Sequence, residues 1–361
     1  MLPGLHLFLK CPIAKILILE IVTAFFLIAT FVPLIKLDHW WLRIFDYPRL
    51  QKLIILVVLG VFWAFLREST GEISLWLSLI GICIIYLVIQ VWPYTVFGKK
   101  MIKRIPFQKE NGIHLIVGNV YQFNTHYPKA IQLIQKKNPD VVFLVETHQK
   151  WIDNLKPLEE DFPYRILLPK ENTYGLAFYS KIPLVRKEIN YLVNPEIPSI
   201  EVDLQLESGK TVTLYGIHPT PPVPGENEKS TERDAEILIV GKKSRENRHP
   251  SLVIGDLNDV AWSYTTSLFL KISEMADPRR GRGFYSTFHA KVPFFRWPLD
   301  HVFLSSHFGL SRLKVLPGIG SDHFLIELKA TLSNGNTAEV EQANGDEKIE
   351  ARAKIINGLK E

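Results

Sequence analysis

Three long apolar runs occupy the first 97 residues and constrain the fold more than any other feature of the chain. They are Ile13–Ile35, Leu53–Leu66 and Ile73–Trp92. As helices, the first and third are long enough to cross a hydrocarbon layer of roughly 30 Å. A helix satisfies all of its own backbone polar groups, which is what a bilayer requires. The sequence therefore predicts a membrane-anchored protein.

The number of spans leaves two alternatives open. A secretory signal peptide has a shorter apolar core followed by small residues, whereas HWWLRIF follows the first run, so an uncleaved helix is favoured. The second run is short enough to be a re-entrant or interfacial piece. Aromatic residues cluster at the ends of the runs, as they do in the headgroup layer. We expect about three transmembrane helices in an anchor of residues 1–97.

Basic residues predict the orientation of this anchor. In a three-span arrangement eight of them lie on one side: Lys36, Arg43, Arg49, Lys52, Lys99, Lys100, Lys103 and Arg104. Three lie on the other: Lys10, Lys15 and Arg67. Positive residues are retained in the cytoplasm, so the soluble domain is predicted to be cytoplasmic. The absence of cysteine after Cys83 suits an extracytoplasmic domain equally well.

The residues after the third run form a basic linker and then a domain of a different kind. Residues 98–111 read as a juxtamembrane linker that can also hold anionic lipid headgroups. From about His114 onward, short runs rich in β-branched and aromatic residues predict eight strands: IHLIVGNVY, PDVVFLVET, YGLAFYS, IEVDLQL, TVTLYGIH, SLVIGDLN, LDHVFLS and LIELKAT. Helix-like stretches at 129–137, 230–243 and 263–275 lie between them. Residues 112–330 are therefore expected to form one α/β domain, and 331–361 a polar tail.

Composition excludes one class of protein, and charge weighs against another. A chain that is 47% hydrophobic and 22% charged is not a disordered polypeptide. Residues 1–104 carry 11 basic and 5 acidic side chains, whereas residues 105–330 carry 27 and 26. The soluble region therefore lacks the strong net basicity that is typical of DNA-binding domains.

Polar side chains stand at the ends of the predicted strands, where α/β sheets place their functional sites. They are Asn119, Glu146, His218, Asp256 with Asn258, Asp300, and Asp322 with His323. Each alone has an ordinary explanation. Glu146 suits a helix N-cap, and Asn119, GDLND and SDH suit turns. In an extended segment residues i and i+2 point the same way, so Asp256 and Asn258 are expected to reach one phosphate together.

The order of these clusters resembles the endonuclease/exonuclease/phosphatase superfamily over about residues 112–330. The motifs are ET after a buried PDVVFL strand, GDLN, and a later SDH. This superfamily contains metal-dependent phosphodiesterases and phosphatases, among them AP endonucleases, deoxyribonucleases, neutral sphingomyelinases and inositol polyphosphate phosphatases. The resemblance implies a four-layer α/β sandwich, two packed mixed β-sheets flanked by helices, and a Mg²⁺ or Mn²⁺ cofactor.

The resemblance also implies a role for each residue. Glu146, Asp322 and Asn119 would hold the metal, and Asn258 would donate to a phosphate oxygen. The catalytic set would be Asp256, which orients or deprotonates water, His323 on the scissile phosphate, Asp300 behind His323, and His218 as a second histidine. Tyr121 stands where the AP-endonuclease branch has an acid, which weakens a repair-nuclease interpretation. Thr287, Arg296 and Trp297 fall in a substrate-side loop, and His301 is predicted to point away from the site.

These residue types suit phosphodiester hydrolysis, which needs a cation on the nonbridging oxygens and acid–base groups for water and leaving group. We expect a membrane-anchored phosphohydrolase whose partners are the lipid bilayer and a phosphate ester, either a lipid headgroup or a nucleic acid. No obligate protein partner is evident in the sequence. The alternatives are an endonuclease acting on DNA or RNA and a non-catalytic membrane-bound binding module of the same fold.

Overall fold

The computed structural model describes residues 12–66 and 71–361, so the orientation residues Lys10 and Arg67 lie outside the described residues. The chain divides into two compact units, Met1–Pro93 and Tyr94–Glu361. The predicted linker (98–111) and tail (331–361) both fall within the second unit, together with the strands of the predicted catalytic domain.

The first unit is helical over its described residues. Its helices are α1 (Pro12–Phe31), α2 (Trp40–Arg43), α3 (Arg49–Phe65) and α4 (Gly71–Val91). Two segments, Ala14–Leu34 and Gly71–Tyr94, are long and apolar enough to cross a membrane. The pair Trp40–Asp46 and Arg49–Phe65 is bent by 69° and adds a third span only if the two form one broken span. The structure thus supports two to three membrane-spanning segments by length and composition.

Three of the basic residues used to predict orientation are buried within this unit. Arg43 and Arg49 pair with Asp46 at 3.3 Å and 3.0 Å. Lys52 lies inside α3, and its Nζ donates to the carbonyl oxygens of Ala29 and Phe45. The cytoplasmic location of the soluble domain stays a prediction.

The second unit is built on two six-stranded mixed sheets. The first has the order β11-β12-β1-β2-β4-β3 and the second the order β5-β6-β7-β8-β10-β9. The strands of the first sheet are β1 (Gly112–Asn119), β2 (Val141–Val145), β3 (Tyr164–Leu168), β4 (Leu176–Ser180), β11 (Phe308–Val315) and β12 (Ile326–Leu332). Those of the second are β5 (Leu184–Asn190), β6 (Ser199–Gln205), β7 (Thr211–Gly216), β8 (Ser251–Asp256), β9 (Met275–Ala276) and β10 (Asp300–Ser305).

Apolar faces of the two sheets pack against each other and against helices outside. The central core joins Val117 and Phe143 of the first sheet to Leu214 and Ile254 of the second. The outer layers contain α5 (Tyr127–Lys137), α6 (Gln149–Leu155), α7 (Thr231–Glu246), α8 (Tyr264–Ser273) and α9 (Gly345–Gly358). Separate apolar clusters lie on the outer faces of the two sheets, beneath these helices. This is the expected four-layer α/β sandwich.

Two pairs of parallel strands, one in each sheet, position the polar residues. β1 pairs parallel with β2, and β7 with β8. Asn119 ends β1 and Asp256 ends β8, while Glu146 and His218 follow β2 and β7 within two residues. Neighbouring parallel strands end at the same edge of a sheet, so each pair brings its two polar side chains together.

Candidate active site

The amide of Asn119 joins the polar residues of the two sheets. Its Nδ2 donates to Glu146 Oε1 at 2.6 Å and to Asp256 Oδ2 at 3.0 Å. Its Oδ1 accepts from the backbone N–H of Tyr121 at 2.8 Å. These three bonds fix the amide with its nitrogen toward the carboxylates and its oxygen toward the chain. The role of Asn119 as an oxygen ligand for a metal therefore stays a prediction.

Glu146 occupies a backbone position that favours glycine, with a φ of 61°. Non-glycine residues in this region cost free energy and tend to persist at functional sites. Oε2 of Glu146 accepts from the backbone N–H of Gln122 at 3.0 Å. Burial raises the pKa of this carboxyl, and His218 and the Asn119 amide oppose the shift. Glu146 is nevertheless partly exposed, so a ligand can reach it.

Gln122 is a positioning residue that the sequence did not reveal. Its side chain donates to the Glu171 carbonyl at 2.8 Å and accepts from the Thr173 N–H at 2.7 Å. It thereby ties the loop after β1 to the loop before β4. A glutamine in a loop has no motif of its own, so only the tertiary contacts identify it.

Asp256 is 1% exposed and lies between the two histidines. Its Oδ2 is 3.6 Å from His323 Nε2 and 3.9 Å from His218 Nε2. Burial alone would raise the pKa of Asp256, but the two histidines and the donors from Asn119 and Asn258 hold it below its ordinary value. Asp256 is therefore a carboxylate at neutral pH and an acceptor for a proton.

Gly255 allows this arrangement because the chain approaches it closely. A Cβ at this position would lie 1.9 Å from the Ile217 carbonyl oxygen. The backbone φ of 143° also disfavours a larger residue. The glycine of GDLN thus lets the end of β8 lie beside the segment that carries His218.

His323 and Asp300 form a buried pair. His323 Nδ1 lies 2.8 Å from Asp300 Oδ2, and since a carboxylate only accepts, Nδ1 carries the proton. Asp300 is opposite Asp256 in the register of β10 and β8, which explains why both carboxylates flank one imidazole. Burial lowers the pKa of His323, but Asp300 and Asp256 outweigh it and raise the pKa to about 10. The ring is therefore a cation aimed at the site.

His218 offers a second ring to the same carboxylate. Its ring centroid is 5.6 Å from that of Tyr174. Within the part of the chain that the structure describes, Nδ1 of His218 is buried and has no hydrogen-bond partner. The nitrogen that faces the Asp256 carboxylate is Nε2, at 3.9 Å, so Nδ1 is a second and still unsatisfied position on the same ring.

Asn258 does not follow the predicted geometry. The strand ends at Asp256, and Asn258 has a φ of 50°, so the two side chains are not successive members of an extended face. Instead the Asn258 N–H donates to Asp256 Oδ1 at 3.0 Å, and Nδ2 donates to the Pro219 carbonyl at 2.9 Å. The expectation from strand periodicity was wrong because a turn begins immediately after Asp256. Contact of Asn258 with phosphate stays a prediction.

Asp322 lies next to the site without joining its hydrogen-bonded centre. Its Oδ1 accepts from Ser321 Oγ at 3.3 Å. Ser321 Oγ lies 2.9 Å from the Asn119 carbonyl, to which it donates, and accepts from the His323 N–H at 2.9 Å. The segment is thus attached to the end of β1. The ligand role of Asp322 stays a prediction.

The secondary residues separate into two groups. Thr287 Oγ1 accepts from the Asp300 N–H at 3.1 Å, and the Thr287 N–H donates to the Trp297 carbonyl at 3.0 Å, so this loop supports the Asp300–His323 pair. Arg296 donates to the Ala290 carbonyl at 3.1 Å in the same loop. The His301 ring instead lies 2.6 Å from Arg279 and 2.8 Å from the Asp259 carbonyl, so its nitrogens are engaged away from the site.

One group of three possible metal ligands stands out among residues 12–66 and 71–361. Ligand atoms of Asp256, Asp300 and His323 lie within 4.8 Å of one another. However, Nδ1 of His323 is engaged by Asp300, and all three residues are buried. The partly exposed Glu146 carboxylate, which shares the Asn119 amide nitrogen with Asp256, is more accessible to a hydrated cation.

The sequence matches one described family over more than half of its length. The endonuclease/exonuclease/phosphatase family matches residues 119–323, which begin at Asn119 and end at His323. No curated protein matches the chain.

Solved structures share the fold at low sequence identity. D. rerio TDP2 complexed with a single-strand DNA product is 17% identical, with 61% of this chain and 99% of that chain covered and a TM-score of 0.52. A mannosyl-6-phosphatase from Bacteroides thetaiotaomicron is 17% identical, with coverage of 61% and 100% and a TM-score of 0.50. A family protein from Bacteroides vulgatus is 16% identical, with coverage of 62% and 99% and a TM-score of 0.50.

Three observations point to the same family: the polar residues at the strand ends, the four-layer sandwich and the match over residues 119–323. Family members are hydrolases of phosphoester bonds and generally use divalent metals. This chain belongs to the endonuclease/exonuclease/phosphatase family.

Proposed function

We propose that this protein is a membrane-anchored, divalent-metal-dependent phosphodiesterase. The observation that carries the proposal is the Asn119 amide bonded to both Glu146 and Asp256, with the His323–Asp300 pair on the other side of Asp256. Carboxylates, a protonated imidazole and a second imidazole converge at one end of the two sheets. This is the set of groups that water-mediated phosphodiester hydrolysis requires.

The residues fit a hard divalent cation. Glu146 and Asp256 accept from the same amide nitrogen, so two carboxylates lie close together with a single neutral donor between them. Oxygen donors of this kind suit Mg²⁺ or Mn²⁺, and both cysteines of the chain lie outside the second unit. We propose Glu146 as one ligand, held in place by Asn119, and Asp322 as a second ligand on the ground of the family resemblance. A bound cation would neutralise the nonbridging oxygens of the phosphate.

Asp256 and the histidines divide the proton transfers between them. Asp256 is ionised and buried, so it can orient a water molecule and accept its proton. His323 is protonated through its pairing with Asp300 and donates from Nε2 to a phosphate oxygen. His218 is proposed as the group that protonates the leaving oxygen, supported by its Nε2 lying 3.9 Å from Asp256 in the same site.

The surroundings of the site favour a membrane-proximal phosphoester as substrate. An apolar lip, defined as Phe123, Val292, Phe294 and Phe295, is exposed beside it, and Phe123 and Phe294 are 69% and 54% exposed. Lys291 lies over the Tyr121 ring at 5.4 Å and so joins the two loops of the lip. Exposed aromatics next to a cation are typical of surfaces that enter a lipid interface. The near-neutral charge of the soluble region offers little counterion release for DNA binding.

The test is a substrate panel with the full chain in detergent. We expect hydrolysis of a phosphodiester with Mg²⁺ or Mn²⁺, loss of that activity in EDTA, and activity on lipid vesicles above that on plasmid DNA. Turnover that is undiminished in EDTA would contradict the metal requirement. Cleavage of plasmid DNA without cleavage of lipid would show that the substrate is a nucleic acid and not a membrane-proximal phosphoester. It would still agree with a metal-dependent phosphodiesterase.

The catalytic assignment has its own variants. Asp256→Ala and His323→Ala should each lower kcat by roughly 10² to 10⁴, the range for loss of acid–base catalysis. Lys242→Ala is a control, since Lys242 is an exposed residue of α7 that pairs only with the exposed Glu246. Full activity in both site variants would contradict the catalytic assignment. It is the result expected if the protein is a non-catalytic binding module and the activity comes from a contaminating hydrolase.

A further inference from the structure

Three cations line a groove that belongs to no part of the candidate active site. The groove has a volume of about 530 Å³ and is lined by Arg104, Arg312 and Lys329, with Ile105, Pro106 and Phe107 as its apolar part. Arg104 comes from the segment that the sequence presents as a linker. Arg312 and Lys329 come from β11 and β12.

The linker is held against the sheet, which fixes Arg104 at the groove. Ile105 donates to the Leu310 carbonyl at 3.1 Å, and Leu310 donates to the Lys103 carbonyl at 3.0 Å. The Lys103 N–H donates to the Thr337 carbonyl at 2.8 Å. Arg104 therefore pairs with Leu310 as an additional edge segment beside β11. Its cation is presented by hydrogen-bonded backbone and not by a free loop.

The charges at this edge are arranged unfavourably for a sheet without a ligand. Arg312 and Lys329 are direct cross-strand partners in the antiparallel pair of β11 and β12. Like charges directly opposite each other destabilise a sheet. Of these two cations, Arg312 forms an ion pair among the described residues, with Glu327 at 3.1 Å, and this carboxylate is shared with Lys137 and His114.

The other two cations of the groove, Arg104 and Lys329, form no ion pair within 4 Å among the described residues. The Lys329 charge acts only at longer range, where it opposes the rise that burial causes in the pKa of Asp140. The Lys329 ammonium lies 5.3 Å from the centre of the Phe107 ring. A ligand with an anionic head and an apolar portion would pair its head with the two cations and pack its apolar portion against the apolar lining.

We propose that this groove binds the headgroup of an anionic phospholipid from the bilayer that holds the N-terminal helices. Arg104 follows Tyr94, the last residue of the second spanning segment, by ten residues. Ten residues reach at most about 36 Å even when fully extended, so Arg104 lies within that distance of the end of the span. Basic residues next to a span attract anionic lipid, and Ile105, Pro106 and Phe107 provide an apolar contact for its glycerol or acyl region. The site does not depend on the proposed catalytic function.

The test measures lipid binding by the full chain in a neutral detergent. Short-chain phosphatidylserine should raise the Tm in a saturable manner, and short-chain phosphatidylcholine should not. The double variant R104E/K329E should bind phosphatidylserine about 30-fold more weakly, which corresponds to roughly 1 kcal/mol for each cation. K242E/R248E is the matched control, because it makes the same charge change at two exposed positions elsewhere and should bind as the parent does.

Three outcomes would overturn the proposal. They are equal protection by both lipids, equal protection by inorganic phosphate alone, and an oligonucleotide that protects better than phosphatidylserine and loses its effect in R104E/K329E. Should the double variant have a lowered Tm without lipid, Arg104→Gln replaces it, since the Arg104 side chain is exposed. Activity of each variant on a soluble phosphodiester should equal that of the parent, which shows that the active site remains folded.

Discussion

Replacing Asp300 by Asn should lower kcat by about 10- to 150-fold while the fold is retained. The substitution keeps the shape of the side chain and removes its charge. Asp300 is completely buried, its Oδ2 lies 2.8 Å from His323 Nδ1, and its backbone N–H donates to Thr287. An amide fits the same space and can accept the same hydrogen bond through its oxygen, so we expect normal expression and unfolding.

The magnitude follows from the bond that is weakened. A hydrogen bond between charged groups is worth about 1.5–3 kcal/mol, and each 1.36 kcal/mol in a barrier is a factor of ten in rate. Without the Asp300 charge, burial is opposed mainly by Asp256, so the pKa of His323 falls and less of the cation is present to donate to phosphate. KM should change little, because Asp300 does not itself reach the substrate.

The assay is steady-state hydrolysis of a chromogenic aryl phosphodiester by the full chain in detergent with Mg²⁺. Asp140→Asn is the control, since Asp140 is a partly buried acid just before β2 that accepts from the His114 N–H at 2.8 Å, away from the site. This control should retain the parental rate.

A double variant tests whether Asp300 acts through His323. If it does, Asp300→Asn combined with His323→Ala should be no slower than His323→Ala alone. Effects that multiply in the double variant, or full activity of Asp300→Asn, would refute the reasoning. A large increase in the Mg²⁺ concentration needed for half-maximal activity would instead assign Asp300 to the metal, as the compact group of Asp256, Asp300 and His323 allows.

Three further predictions concern stability and topology. Burial and the charge of Glu232 raise the pKa of Glu236 to about 8, above its ordinary 4.5. Between these pH values the folded state keeps a proton that the unfolded chain releases, so stability falls as pH rises. Glu236→Gln should therefore raise the Tm by several degrees at pH 9 and leave it unchanged at pH 4, and an equal shift at both would contradict this. Lys354→Met breaks a 2.9 Å bond to Asp234, which keeps its bond to Arg233, so the free energy of unfolding should fall by about 1–3 kcal/mol in a thermal unfolding experiment. An unchanged Tm would show that Arg233 alone stabilises the Asp234 carboxylate. A reporter fused after Glu361 should be cytoplasmic, and an extracytoplasmic signal would show that the basic residues do not set the orientation.

The sequence predicted the central strands of both sheets and not the outermost ones. β1, β2, β8 and β10 were found because strands buried on both faces are continuous apolar runs. β3, β5, β9 and β11 are the edges of the two sheets. β5, with the sequence LVRKEIN, is mostly exposed, and edge strands carry such charges without losing their pairing. The composition of β5 therefore resembles that of a loop.

The residue types of the candidate site were also available from the sequence, because a polar residue directly after a buried strand is conspicuous. Their mutual arrangement was not. That one amide bonds to Glu146 and Asp256 depends on how two sheets pack, and that Asn258 leaves the strand direction depends on a turn at positive φ.

Contacts between distant segments were decided by the tertiary structure alone. Gln122 positions Glu146, and Arg104 meets Arg312 and Lys329 in one groove, through contacts that carry no local periodicity. Hydrophobic periodicity and short motifs record how each segment is buried, since burial depends on the local pattern of side chains. Which segments meet is set by the packing of the whole domain, and for this reason the partners of these residues became visible only in the folded chain.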